Sequence, residues 1–163
     1  MRKVVSNTTP LISLLKIGKL DLLRLLYGNI FIPYAVYQEI EAGKDSFYTD
    51  LTALDWVSIE RLHSTAARVF LYDLDDGEAE ALMLAQELGA DLILIDEKCA
   101  RRYAQLMDIP VTGTLGILLR AKEKGFISEI APLIKELQGN NTWFSPGLIA
   151  KILVLAGEVP LPC

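Results

Sequence analysis

Asp91-Leu92-Ile93-Leu94-Ile95-Asp96 is the stretch that decides the fold. Its apolar run is too short for a helix and does not alternate with polar residues. It predicts a strand buried on both faces, the kind found in parallel sheets covered by helices. The flanks agree. Upstream, Asp75 and Asp76 precede a predicted helix over 77–88, closed by Gly89. Downstream, the spacing predicts an amphipathic helix over 97–107. Cys99, Ala100, Tyr103, Ala104 and Met107 form its apolar face, and Lys98, Arg101, Arg102 and Gln105 its polar face. A last strand, 109–111, leads through Thr112-Gly113-Thr114 into a helix ending near Gly125.

The first half of the chain repeats this alternation. Lys3-Val4-Val5-Ser6 reads as a short buried strand. Thr8 or Thr9 is expected to cap a helix with Pro10 at its first position, its apolar face made by Leu11, Leu14, Leu15 and Ile17. A second helix over 19–26 ends before Gly28. A strand over 29–32 then leads through Pro33 into a helix over 34–41, terminated by Gly43. Residues 44–50 are polar and read as a mobile connection, and 56–61 as a further strand. The C-terminal part is expected to be helical, with Ser145-Pro146 as a helix start. Strands alternating with helices predict an α/β fold, a three-layer α/β/α sandwich around a mostly parallel sheet. One domain is expected over 1–163, with no repeat or low-complexity tract.

Composition removes several classes of function. The chain has 163 residues, 52% apolar and 23% charged, which fits a globular domain with a sizeable core. Met1-Arg2-Lys3 is followed by the polar Ser6-Asn7-Thr8-Thr9-Pro10, so no targeting segment is expected. The longest apolar run, 148–156, is broken by Lys151 and is well short of the ~18 residues of a membrane span. Cys99 and Cys163 form no C-x-x-C pair, which argues against a disulfide framework or zinc site and for a cytoplasmic location. A net charge of −5 argues against nonspecific coating of nucleic acid, but not against a cluster of metal-binding carboxylates.

His63 is the only histidine. That rules out a two-histidine nuclease, and its polar surroundings offer nothing to orient a Ser-His-Asp triad. Thr112-Gly113-Thr114-Leu115-Gly116 matches neither a P-loop nor a dinucleotide fingerprint. Carboxylate chemistry remains. Ligands of open parallel sheets bind outside the carboxyl ends of the strands. Asn7 follows the first strand there, and Asp96 follows the buried one. Glu78 lies in the first turn of the helix feeding that strand, and Glu39 on the helix after Pro33. Hard oxygen donors from four elements suit Mg²⁺ or Mn²⁺. Each residue also has a local explanation: Asn7 or Asp96 as a helix cap, Glu78 as a complement to the helix dipole, Glu39 as a solvated helix residue.

Val4-Val5-Ser6-Asn7-Thr8-Thr9-Pro10-Leu11-Ile12, then Pro33 through Val36 to Glu39, resembles the opening of a PIN domain. Asp76-Gly77-Glu78-Ala79-Glu80-Ala81 and Leu94-Ile95-Asp96-Glu97 resemble its second half. The similarity runs on through Thr112-Gly113-Thr114-Leu115-Gly116 to Leu155-Ala156-Gly157-Glu158 and so covers nearly the whole chain. No single motif is specific; their order and spacing together are. The resemblance is to a PIN-like family of prokaryotic proteins related to the VapC-type toxins. It implies a metal-dependent ribonuclease, hydrolysing RNA phosphodiesters, as the toxin of a toxin–antitoxin pair. Mg²⁺ or Mn²⁺ would be held by Asn7, Glu39, Glu78 and Asp96. The nuclease pattern has Asp where this chain has Asn7, and many of the toxins have Asp where it has Glu78.

RNA is thus the expected partner, held by Lys98, Arg101 and Arg102, which lie at i, i+3 and i+4 beside Asp96. A small antitoxin protein and a second copy of the chain, in a homodimer, are further expected partners; a membrane is not. The neutral Asn7 motivates the alternative, a catalytically degenerate PIN-like domain that binds RNA or protein. The 91–96 strand also resembles that of a response-regulator receiver domain. That fold, however, has an acidic pair where this chain has Asn7-Thr8, and its phosphoacceptor comes earlier in the chain.

Overall fold

The computed structural model describes residues 2–44 and 46–158; Cys163 lies outside them. The stretch 91–96 forms a strand, Leu92–Leu94 (β4), in parallel with Val4–Ser6 (β1). Val4 stands opposite Leu92, Val5 opposite Ile93 and Ser6 opposite Leu94. On the other side of β1 runs Ile30–Pro33 (β2), then Val57–Glu60 (β3), while Val111–Thr112 (β5) flanks β4. The order is β3-β2-β1-β4-β5, and every pairing is parallel. The chain therefore winds outward from β1 in one direction, then crosses back to continue in the other. β1 and β4 flank the switch point.

Continuous apolar strands conceal an alternation that burial on both faces explains. Val4, Ile30, Ile32, Leu92 and Leu94 enter one core; Val5, Ile93 and Ile95 enter the other. The first core is closed by Thr8–Lys16 (α1), Asp21–Tyr27 (α2), Tyr34–Ala42 (α3), Thr114–Glu123 (α6), Ala131–Gly139 (α7) and Pro146–Leu155 (α8). The second is closed by Asp76–Leu88 (α4) and Lys98–Leu106 (α5). The result is the expected three-layer sandwich. Among the described residues no helix is long and apolar enough to cross a membrane.

The structure corrects several local readings. The N-cap of α1 is Asn7, so Thr8 and Thr9 lie within the helix and Pro10 is its third residue. Ile109 is not in β5: its N–H donates to Ala104 O at 2.9 Å and closes α5 instead. In the connection after α3, Tyr48 Oη donates to Glu41 and Lys44 is ion-paired to the same carboxylate at 3.1 Å. A 3₁₀ turn at Ala66–Leu71 was not expected, because Leu71 alone in it is buried and no apolar period announces it.

Candidate active site at the carboxyl edge of the sheet

Asn7 leaves β1 with its N–H donating to Leu94 O at 2.9 Å, which fixes it against the end of β4. It occupies the N-cap of α1 in extended conformation, yet its side chain caps nothing. The sequence gives a reason. A cap side chain normally accepts from the N–H of the second or third helical residue, and here the third is Pro10, which has none. Asn7 is only 3% exposed, and its Oδ1 is buried without a hydrogen-bond partner among the described residues. An unsatisfied buried acceptor costs about 1–3 kcal/mol. A cation or a water molecule is what such an oxygen suits.

Glu39 reaches this end of the sheet from α3. Thr8 Oγ1 donates to its Oε2 at 2.8 Å, and the backbone of Gly77 at the start of α4 lies close enough to help lower its pKa. Gly77 leaves room for it, since a Cβ there would fall 2.2 Å from Glu39 Oε1. Burial raises the Glu39 pKa above the usual carboxylate range, the Thr8 bond lowers it, and the charge of Asp75 raises it again.

Glu78 completes a capping box with Asp75. Asp75 Oδ1 accepts the Glu78 N–H at 2.8 Å, and Glu78 Oε2 accepts the Asp75 N–H at 3.3 Å. Its carboxyl is pushed up to about 7, by burial first and then by the charge of Asp75, with smaller contributions from Glu97 and Glu39. Its cap role does not exhaust it: the crowding of negative charge around Glu78 is what a bound cation would relieve.

Asp96 lies just beyond β4 and is not the cap of α5; Glu97 is, accepting from the Ala100 N–H at 2.8 Å. Asp96 instead holds the start of α6, where Oδ1 accepts from Thr114 N at 2.6 Å and Oδ2 from Thr114 Oγ1 at 2.5 Å. The cap residue of α6 is Gly113, which has no side chain to do this. A Cβ on Gly113 would lie 2.5 Å from Asp96 Oδ1 and 2.9 Å from Arg101 Nη1. A carboxylate has about four lone-pair sites, so Asp96 keeps acceptor capacity beyond these two bonds.

The four expected residues thus stand at one edge of the sheet, but each carboxylate is turned to a neutral donor of its own. Among the described residues no three Asp, Glu, His or Cys side chains converge closely enough to hold a metal. Like charges repel at short range, and nearby N–H and O–H groups offer an alternative. The donor set is nonetheless that of a hard cation, three carboxylates and one orphaned amide oxygen. Of the expected basic residues, Lys98 and Arg102 are exposed. Arg101 is half-buried and donates to Ile95 O at 3.0 Å, bracing the turn that carries Asp96. The sequence reading missed Thr8, Thr114, Gly77 and Gly113. Their signal was present, a small residue beside a hydroxyl or an acid at a helix start.

An all-parallel α/β/α sandwich with acidic side chains around its switch point defines the class of this protein. Within that class, the family model described as PIN domain matches residues 3–158, and the chain belongs to the PIN-domain family. PIN domains are in general metal-dependent nucleases. Among solved structures, the chain is similar to a PilT N-terminus domain protein from the hyperthermophilic archaeon Sulfolobus solfataricus P2. The two are 21% identical, with a TM-score of 0.55 over 74% of this chain and 93% of that one. This likeness bears on the fold. No curated protein matches the sequence significantly.

Proposed function

We propose that this chain is a ribonuclease dependent on Mg²⁺ or Mn²⁺, acting as the toxin of a toxin–antitoxin pair. The observation that carries the metal site is the orphaned, buried Oδ1 of Asn7 at the switch point. Asn7, Glu39, Glu78 and Asp96 would hold the ion. When bound, such an ion polarises a phosphate and makes water nucleophilic near neutral pH. Thr8 and Thr114 orient Glu39 and Asp96, and Gly77 and Gly113 keep the carboxylates close to the backbone. Lys98 and Arg102 would meet RNA phosphates beside Asp96. A small antitoxin, a homodimeric assembly and a cytoplasmic location belong to the same reading.

Asn7 supplies an oxygen but no charge, which favours slow hydrolysis and weak metal binding. It also motivates the second reading, a PIN domain that binds RNA or protein without cutting it. Asn7→Asp separates them. The variant is expected to bind Mn²⁺ more tightly and to cleave RNA faster than wild type, with the gain abolished by adding Asp96→Asn. If Asn7→Asp neither tightens Mn²⁺ binding nor cleaves, the catalytic reading gives way to the binding module.

A further inference from the structure

We propose that Arg61, laid over the ring of Tyr34 at the carboxyl edge of the sheet, is a phosphate subsite for the RNA strand flanking the scissile bond. The assignment rests on the ribonuclease reading and adds a residue outside its four candidate metal ligands. In the β2–β3 register Pro33 pairs with Glu60, so Tyr34 and Arg61 are the first residues beyond the paired ends of their strands. The guanidinium carbon of Arg61 lies 3.7 Å from the Tyr34 ring centroid. The ring is itself held in place. Tyr37 packs against it at 5.9 Å, and the neighbouring Ala35 N–H donates to Glu80 Oε1 at 3.2 Å. Glu80 lies on α4, two residues past Glu78, so one helix bears both the platform's anchor and a candidate ligand.

Stacking uses one face of the guanidinium and leaves its N–H edges free for the forked geometry that matches a phosphate. Arg24, Arg68 and Arg120 each have a carboxylate partner, at 2.8, 3.1 and 3.3 Å. Arg61 is exposed and, among the described residues, has no carboxylate within ion-pairing distance. Its side chain is therefore ordered in advance on an aromatic ring without being neutralised, which lowers the ordering cost of gripping an anion. β3 lies two strands from β1, about 10 Å at the usual strand spacing, so Arg61 flanks Asn7 on the side away from α5. A chain of net charge −5 with acids at its site needs cations on the approach path of RNA. Arg61 supplies one on the β3 side, as Lys98 and Arg102 do on the other.

The test is binding of a fluorescent single-stranded RNA to the full chain in EDTA, titrated with salt. Wild type, Arg61→Gln, Arg61→Lys, Tyr34→Leu and a control, Arg120→Gln, are compared after melting curves confirm folding. Arg61→Gln is expected to weaken binding and to lower the salt slope by about one phosphate contact. Arg61→Lys and Tyr34→Leu keep the charge and should keep the slope, with weaker binding from the lost fork or platform. Arg120→Gln should match wild type. Wild-type slope and affinity in Arg61→Gln, in a protein whose wild type binds RNA or cleaves it with Mn²⁺, overturn the subsite alone. Wild type that neither binds nor cleaves RNA overturns the ribonuclease reading and the subsite together.

Discussion

At the residue scale the site is governed by which hydrogen-bond partners are denied. Pro10 removes one of the two donors Asn7 could cap, the side chain makes no bond to the other, and the amide oxygen is left buried and unsatisfied. Glu78 shows the opposite condition, a carboxyl with too much negative charge around it. Its folded pKa is raised, so between the ordinary carboxylate value and about 7 the folded protein holds a proton that the unfolded chain has released. Stability therefore falls as pH rises across that window. In metal-free buffer Glu78→Gln should flatten this decline and melt higher than wild type at pH 8. Each pKa unit corresponds to ~1.4 kcal/mol, and solvent screening at this half-open position reduces the whole effect to about 1 kcal/mol. Parallel melting-temperature profiles of the two proteins from pH 5 to 8 would rule out the crowding of charge.

At the scale of elements, helix starts are the recurring device. Asp75 caps α4, Glu97 caps α5 and Ser145 caps α8, each from the adjacent residue. The starts of α6 and α7 are capped from far away in sequence, by Asp96 and by Glu158. Glu158 accepts the N–H groups of Ile130 and Ala131 at 2.8 Å each and pairs with Lys122 Nζ at 3.0 Å. Burial pushes its pKa up, but the two N–H donors and Lys122 outweigh that and hold it below the usual range. Its stabilisation is thus present above the unfolded pKa and is lost as pH falls through the folded one. Glu158→Ala should cost about 2 kcal/mol at pH 7, measured by urea unfolding, with the deficit shrinking in acid. A pH-independent deficit would point to lost packing alone.

At the scale of the molecule, a single sheet separates two cores, and β4, next to the central strand β1, serves both. Ile93 is fully buried in the smaller core, among α4 and α5. Ile93→Ala should lose about 2–5 kcal/mol, enough to lower the melting temperature by roughly 10 °C in a domain of this size. A loss under 1 kcal/mol would mean that α4 and α5 pack loosely on the sheet. The strand was legible because four apolar residues between two aspartates admit little else, and the helices because their apolar periods are regular. The Ala66–Leu71 turn was not, since one buried side chain makes no pattern.

The sequence by itself determined the layers, the parallel sheet, and the four polar residues placed at strand ends and helix starts. It did so because burial on two faces and helical periodicity are local properties of composition and spacing. The tertiary structure alone decided what those residues do when they meet. It turned Asp96 from a possible cap of its own helix into the distant cap of α6, placed Glu39 against Gly77, and drew Arg101 onto Ile95 O while laying Arg61 over Tyr34. These outcomes depend on which donors and charges converge from separate segments. Short-range electrostatics and hydrogen bonding settle that only once the chain has folded.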